Sequence, residues 1–359
     1  MFLSEKSYAQ LDNSFFKWKH EFTAEGDLRL QIENLNYFRN VEFKSPIDEG
    51  RTMGGFQFVP ELSYQISNKA LVSGGLLLKR DVGGEGFHQI QPTFQLKYVD
   101  KEMAFLFGRL EGNMDHNLIE PLLDPERIIS NRTENGFQLL LNKIWFDADI
   151  WLDWQKMIYT NSPFREEFDA GVSTKLKLIS SDKLKWQIPL SVLAHHKGGE
   201  IDTSGQPTVS QFTFTYGSEL SYLPSASKLK RIQAGLYFNN YEDISGRATS
   251  FIDGLGQYAS VSFHWENFYG MINYWDAHQF QSGNGDVIFQ SISRKNPSKY
   301  KLDYRKLYMF RAGYEKDLGN DLSFLFRTNL IRDVNEELWD FVAEFYFRWT
   351  PSYLIKSKV

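Results

Sequence analysis

The stretch NGFQLLLNKIWFDADIWLDWQ, residues 135–155, breaks once at Asn142-Lys143 and then keeps a strict period of two. Phe146, Ala148, Ile150, Leu152 and Trp154 alternate with Asp147, Asp149, Trp151, Asp153 and Gln155. Successive side chains on a β-strand point to opposite faces, so this pattern predicts a strand with one apolar and one acidic face. What each face meets is decided by the rest of the chain.

The same grammar runs in both directions. From Phe16 to Ile32 the even positions are mostly apolar (Phe16, Trp18, Phe22, Leu28, Leu30) and the odd ones polar (Lys17, Lys19, Glu21, Arg29, Gln31). Such a run is about twice the length of an ordinary globular strand. Further segments fall at 56–66, 70–79, 88–98, 103–110, 137–141, 144–155, 168–178, 184–195, 211–222, 231–239, 258–266, 268–275, 307–316, 322–331 and 339–349. That makes roughly sixteen, most near the 9–11 residues of a tilted membrane-spanning strand.

Connection lengths alternate. SNK, DKE, NK, SSDK, PSAS, EN and DLGND are short. Between them lie 41–55, 81–86, 111–135, 156–167, 197–210, 241–257, 276–306 and a modest 332–338. Short turns at one end and long loops at the other predict an all-β, up-and-down antiparallel transmembrane barrel, with periplasmic turns and extracellular loops. A soluble sandwich lacks this order. A soluble propeller or lectin would need a repeat of about 40–50 residues, which is absent.

Composition narrows the function. The formal charge of −5 and a pI near 5.9 leave no basic stripe for a nucleic acid. With no cysteine, disulfide scaffolds and thiolate metal sites are excluded. No stretch reaches the roughly 18 apolar residues of a transmembrane helix. MFLSEKSYAQ lacks the basic start and apolar core of a signal peptide, so an exported form would have lost its leader. The domain reading is a polar tail over 1–14, a barrel over 15–350 and a C-terminal tail over 351–359.

The last segment carries Trp339, Phe341, Ala343, Phe345, Phe347 and Trp349 on one face and Asp340, Glu344 and Arg348 on the other. The first face suits lipid, the second a water-filled lumen. Trp18, Tyr64, Tyr98, Trp154, Tyr222 and Trp265 fall near segment ends, as interfacial girdles require.

The strand count, the alternating connections and the aromatic last strand FVAEFYFRW resemble the sixteen-stranded outer-membrane porins of Gram-negative envelopes. The resemblance is architectural and covers Phe16 to Trp349. Such barrels often end on an aromatic residue, whereas this chain continues with TPSYLIKSKV. The resemblance implies that the loop after the fifth strand folds into the lumen as a constriction, presenting Glu111, Asp115, Glu120, Asp124 and Glu126. Leu118, Ile119, Leu122 and Leu123 would pack it against the wall.

With this parity Asp147, Asp149 and Asp153 form an inward column on the seventh strand. Arg29, Arg311, Arg327 and Arg348 fall inward on the first, fourteenth, fifteenth and sixteenth, roughly opposite. An acidic column facing a basic arc makes a transverse field that sets ion preference, unless Asp340 and Glu344 neutralise the arginines locally. Trp151 among the aspartates suits sugar stacking or simple space filling. Asp147 and Asp149 supply too few ligands for calcium, and no metal or cofactor is expected. Gln57, Gln65, Gln89, Gln91, Thr93 and Gln95 give an uncharged polar wall.

SVSFHWEN places Ser260, Ser262, His264 and Glu266 on one strand face, and resembles the Ser–His spacing of barrel lipases. It lacks an oxyanion-hole signature. His195 and His196 are adjacent on a strand, so they point to opposite faces rather than to one metal. The expected function is an outer-membrane porin for small hydrophilic solutes, without catalysis. Its partners would be lipid, those solutes and, in a homo-oligomer, copies of itself. The alternatives are a lipid-acting barrel enzyme using Ser262 and His264, or a plugged docking or assembly barrel.

Overall fold

The computed structural model describes residues 11–112, 116–225, 227–246 and 249–357. The strands are β1 (Leu28–Glu42), β2 (Arg51–Ser67), β3 (Ala70–Asp81), β4 (Gln89–Asp100), β5 (Met103–Arg109), β6 (Asn135–Asn142), β7 (Phe146–Lys156) and β8 (Glu166–Ser180). Then come β9 (Leu184–Gly198), β10 (Val209–Tyr222), β11 (Leu229–Asp243), β12 (Asp253–Trp265), β13 (Phe268–His278), β14 (Tyr304–Gly319), β15 (Leu322–Asp333), β16 (Leu338–Trp349) and β17 (Ser352–Lys356). β1 to β16 pair antiparallel with their neighbours in chain order, and β1 pairs with both β2 and β16, closing a sixteen-stranded barrel. Closure leaves no strand edge unpaired in the bilayer. One short helix, α1 (Arg127–Ser130), and two 3-10 turns are the remaining regular elements among the described residues.

β17 continues the last stave rather than adding a new one. β16 pairs with Asn34 to Glu42 of β1, and β17 pairs with Leu28 to Gln31 below them. The break falls at Thr350-Pro351, where proline has no N–H to give the ladder. Its carbonyl still accepts the Ile32 N–H at 3.0 Å. The segment read from sequence as a C-terminal tail therefore completes the wall.

The other end differs too. β1 begins at Leu28, not near Phe16. Residues 11–27 cross the lumen, with a 3-10 turn at Ser14–Phe16. Phe15 and Phe16 are buried against Leu35, Tyr37, Leu325 and Tyr346 on the inner wall. Phe16 makes an edge-to-face pair with Tyr346 at 4.8 Å. The alternation at 16–26 mimics a strand because Trp18, His20 and Phe22 lie against the wall at Arg109, Glu61 and Lys97 while Lys19, Glu21 and Glu25 are exposed.

Parity follows the expectation along β7: Asp149, Trp151 and Asp153 are buried inward and Ile150 is exposed outward. β5 and β13, whose faces are both apolar, also resolve. Ala104 and Leu106 point in while Phe105 and Phe107 point out. On β13, Met271, Asn273 and Trp275 point in and Phe268 and Ile272 out. Gly108 takes φ +90, a left-handed conformation that costs glycine little. Arg109, next in the chain, is buried and bonded within the lumen despite its odd position beside outward Phe105 and Phe107.

The barrel has its hydrophobic core inside. Val41, Trp151, Tyr237, Tyr241, Tyr258 and Trp275 of the wall pack on Ile47, Leu118, Ile119, Leu122, Phe280, Ile288 and Phe289 from the long loops. Outside, Phe345, Phe347, Phe263, Ile272, Phe214 and Leu220 are exposed, an apolar surface that only a bilayer covers.

Candidate functional site

Four segments enter the lumen: residues 11–27, the loop 43–50, the loop 111–134 and the loop 279–303. Three have ion pairs with wall residues, and the fourth, 279–303, is held by Arg305 and Trp275 of the wall donating to the Ile288 and Phe289 carbonyls at 2.6 and 3.1 Å. Arg348 donates to Glu33 at 2.9 Å and to the carbonyls of Phe15 and Lys17 at 2.8 and 3.0 Å. Arg327 donates to Asn13 Oδ1 at 2.9 Å and to the Asp12 carbonyl. His20 lies 2.6 Å from Glu61, which also accepts from Arg109 at 3.0 Å, and Arg109 stacks over Trp18 at 4.4 Å. The acidic wall residues Glu33 and Glu61 were not singled out in the sequence, although both sit at inward odd positions of alternating strands.

The loop 111–134 folds inward, and Leu118, Ile119, Leu122 and Leu123 are buried. Three of its carboxylates are engaged with wall cations. Glu111 meets Lys97 at 2.7 Å, Glu120 meets Arg311, and Glu126 meets Arg39 and, at 2.6 Å, Arg51. Asp124 lies 3.5 Å from Arg294. Asp115 lies outside the described residues. Burial alone would raise the Glu111 carboxyl, but Lys97 and Lys19 outweigh it and hold it below its ordinary value.

His116 links this loop to the aspartate column. Its Nδ1 is 2.9 Å from Asp149 and its Nε2 2.6 Å from Glu134, and its ring stacks on Trp151 at 4.0 Å, 8° from parallel. Burial works against the imidazolium, but Glu134 and Asp149 more than offset it and lift the pKa to about 10. With a carboxylate at each nitrogen, His116 is a cationic clamp and has no free lone pair for general-base work. Trp151 is thereby occupied by a histidine face.

The other two aspartates of the column are engaged as well. Asp153 accepts from the Asn135 N–H at 2.9 Å and lies 3.6 Å from Arg127 of α1, which also holds Glu134 at 2.9 Å. Asp147, nearer the short-turn end, pairs with Lys177 at 2.8 Å. Among the described residues no cluster of His, Asp and Glu could hold a metal ion.

The arginine arc divides. Arg311 and Arg327 line a central cavity of about 40 Å³ together with Arg39, Glu120, Asp286 and Glu344. That is room for one or two waters. Arg348 lies below, on the N-terminal segment, and Arg29 faces Ser63 and Leu354 across its neighbouring strands. Asp124 and Asp286 meet where the two largest loops join: the Asp124 N–H donates to the Asn284 carbonyl at 2.7 Å and the Asp286 N–H to the Glu120 carbonyl at 3.0 Å. Burial and neighbouring carboxylates push both side chains above their ordinary values. A mixed-charge cleft of about 380 Å³, lined by Asp48, Glu49, Arg51, Arg294 and Lys295, opens at the loop end.

The remaining sequence candidates serve the same packing. Gln57 donates to the Ile128 carbonyl at 2.8 Å and accepts from Arg132 at 2.8 Å, and Gln95 donates to the Arg109 carbonyl at 2.7 Å. Gln91 accepts from Thr133 at 3.1 Å. Ser262 and His264 share the inward face, but His264 Nε2 is 3.0 Å from Arg231. Glu266 sits in the turn and pairs with Lys228 at 3.1 Å, so it does not orient the imidazole. The pair also faces the lumen, away from lipid. His195 bonds Asp169 at 2.7 Å inside, while His196 bonds Ser210 at 2.9 Å and stacks on Phe168 outside.

Solved structures share this fold. OprD of Pseudomonas aeruginosa superposes with a TM-score of 0.54 at 10% identity, covering 94% of this chain and 98% of that one. OccK1 (OpdK) of the same organism gives 0.53 at 10%, covering 91% and 99%. The fold is thus that of a porin-like outer-membrane barrel. No curated protein matches the chain. The sequence does match a family profile over residues 19–358, from inside the N-terminal plug to the end of the last stave, and the protein belongs to the lipid A 3'-O-deacylase-type family.

Proposed function

We propose that this outer-membrane barrel acts on the acyl esters of a lipid A-type glycolipid rather than passing solutes. The inserted segments carry the reading: three long loops share a hydrophobic core with the wall, the N-terminal segment packs into a second one, and a cavity of about 40 Å³ lies where the four meet. An enzyme working on membrane lipid needs a rigid wall and has no use for an aqueous path, and the family it belongs to is named for such an activity. A porin's substrate must cross the lumen, so the same packing is a barrier to it.

The test joins two measurements on one preparation. Lipid A incubated with the purified barrel should lose an ester-linked acyl chain by mass spectrometry, while planar bilayers containing the barrel stay silent. Steady conductance steps with intact lipid A would overturn the reading.

A second reading, a gated channel, is favoured by one observation: the plug is held largely by ion pairs, among them Arg311–Glu120 and Arg348–Glu33. Such contacts can exchange with water and ions as apolar packing cannot. Silent bilayers that open at high salt would support it.

A further inference from the structure

The outer face of β1 departs from the rest of the seam. Its outward positions run Leu28, Leu30, Ile32, Asn34, Asn36, Phe38, Asn40 and Glu42. The facing stave β16 shows lipid only Trp339, Phe341, Ala343, Phe345, Phe347 and Trp349. Asn36 lies level with Phe347 on one side and Phe56 on the other, so the amides stand within the apolar belt and not above it.

These groups bond one another along the strand. Asn36 donates to Asn34 Oδ1 at 2.6 Å, and Asn34 donates to the Gln57 carbonyl at 3.2 Å. Asn40 donates to Glu42 at 3.1 Å and accepts from Thr52 at 2.6 Å. The ladder is incomplete. An amide offers two N–H donors and an acceptor oxygen, and among the described residues Asn36 uses one donor only. Polar groups facing hydrocarbon are costly, and those retained there mark function.

Small residues border only the loop end of the ladder, which leaves a shallow groove there: Asn40 sits opposite Ala343 on β16 and the neighbouring Phe38 opposite Gly54 on β2, whereas Asn34 and Asn36 keep aromatic rings on both sides. Along the same row, β2 Phe56 faces Arg80 of β3, which is exposed on the outward side near the loop end.

We propose that the β1 ladder Asn34, Asn36, Asn40 and Glu42, with Thr52 and Arg80 beside it, binds an acylated, phosphorylated glycolipid of the outer leaflet. Asn40 and Thr52, nearest the loop end, take the ester carbonyls and hydroxyls where acyl chains join the sugar, Asn34 and Asn36 take hydroxyls further along the chains, and Arg80 takes a phosphate. Plain phospholipid tails at this depth offer no hydrogen-bonding groups. A glycolipid whose acyl chains carry hydroxyls does, and its phosphates match the exposed Arg80 guanidinium. The proposal rests on the lipid-directed reading above, and gives that reading a place on the wall.

The experiment uses the full chain in detergent, challenged with purified lipid A and separately with phosphatidylethanolamine, bound lipid being read by native mass spectrometry. Wild type should retain lipid A in preference. The double variant Asn36→Leu, Asn40→Leu should lose about tenfold in retention, two polar contacts' worth, and Arg80→Gln should lose the dependence on phosphate. Both variants replace groups on the lipid side, and unchanged heat-modifiable gel mobility would confirm that they fold. Equal lipid A retention by wild type and the double variant would overturn the groove. So would a wild-type dimer that the double variant converts to monomer, since a second copy would then be the occupant.

Acyl release measured on the same samples separates the two claims. Release at full rate by the double variant removes the groove and leaves the hydrolase. Ladder-dependent binding without release removes the hydrolase and leaves the groove.

Discussion

Asp149 accepts from Gln138 at 2.8 Å while it clamps His116, so one carboxylate ties β6, β7 and the inserted loop together. Asp149→Asn would leave the imidazolium with Glu134 alone. Breaking one partner of a buried pair costs about 3 kcal/mol, and thermal unfolding in detergent should shift down accordingly. His116 also sets a pH dependence. Its pKa is raised in the folded state, so its contribution is complete below an unfolded value of about 6.5 and is lost as the pH rises through about 10. Deprotonation of Asp286 beside Asp124 acts in the same direction. Protease cleavage within 111–134 should therefore quicken from pH 7 to pH 10, and His116→Gln should flatten that profile. Cleavage equally slow at both values would remove His116 from the clamp. The aspartates' facing was legible in the sequence; their partner was not, because His116 sits in a loop whose path no local period encodes.

At the scale of the element, the last stave is the informative one. Its upper part, β16, is an alternating aromatic strand that any reading would find. Its lower part, β17, follows a proline and carries Tyr353, Leu354 and Ile355, all exposed, without a clear partner face in the sequence. Only register against β1 makes it a strand. Truncation after Thr350 would leave Leu28 to Gln31 unpaired on that side, inside a bilayer that supplies no replacement hydrogen bonds. The truncated chain should refold poorly into the heat-modifiable form, as read by gel mobility after dilution from urea. Normal refolding would show that β17 is dispensable. The mirror case is the segment 16–26, which alternates like a strand yet belongs to the plug. Period two reports two unlike surroundings, and a chain lying with one side on the inner wall and the other exposed meets that condition without any ladder.

For the whole molecule, the plug and the wall form one unit. Wild-type barrels should show no steady conductance, whereas Arg327→Ala with Arg348→Ala should release residues 11–27 and introduce stable steps. Silence in both would mean that the three loops alone seal the lumen. The sequence by itself determined the strand count, the alternation of short and long connections, the facing of Asp147, Asp149 and Asp153, and the apolar outer belt. These follow from pleat geometry and the bilayer's demand for a closed ladder, both of which act residue by residue along the chain. Only the tertiary structure decided that four segments fold into the lumen, that Glu120, Glu126 and Glu134 answer Arg311, Arg39 and His116, and that Asn36 stands among phenylalanines on the lipid side. Ion pairs between residues as far apart as Arg348 and Glu33 depend on barrel closure and loop path, and a chain's local pattern carries neither.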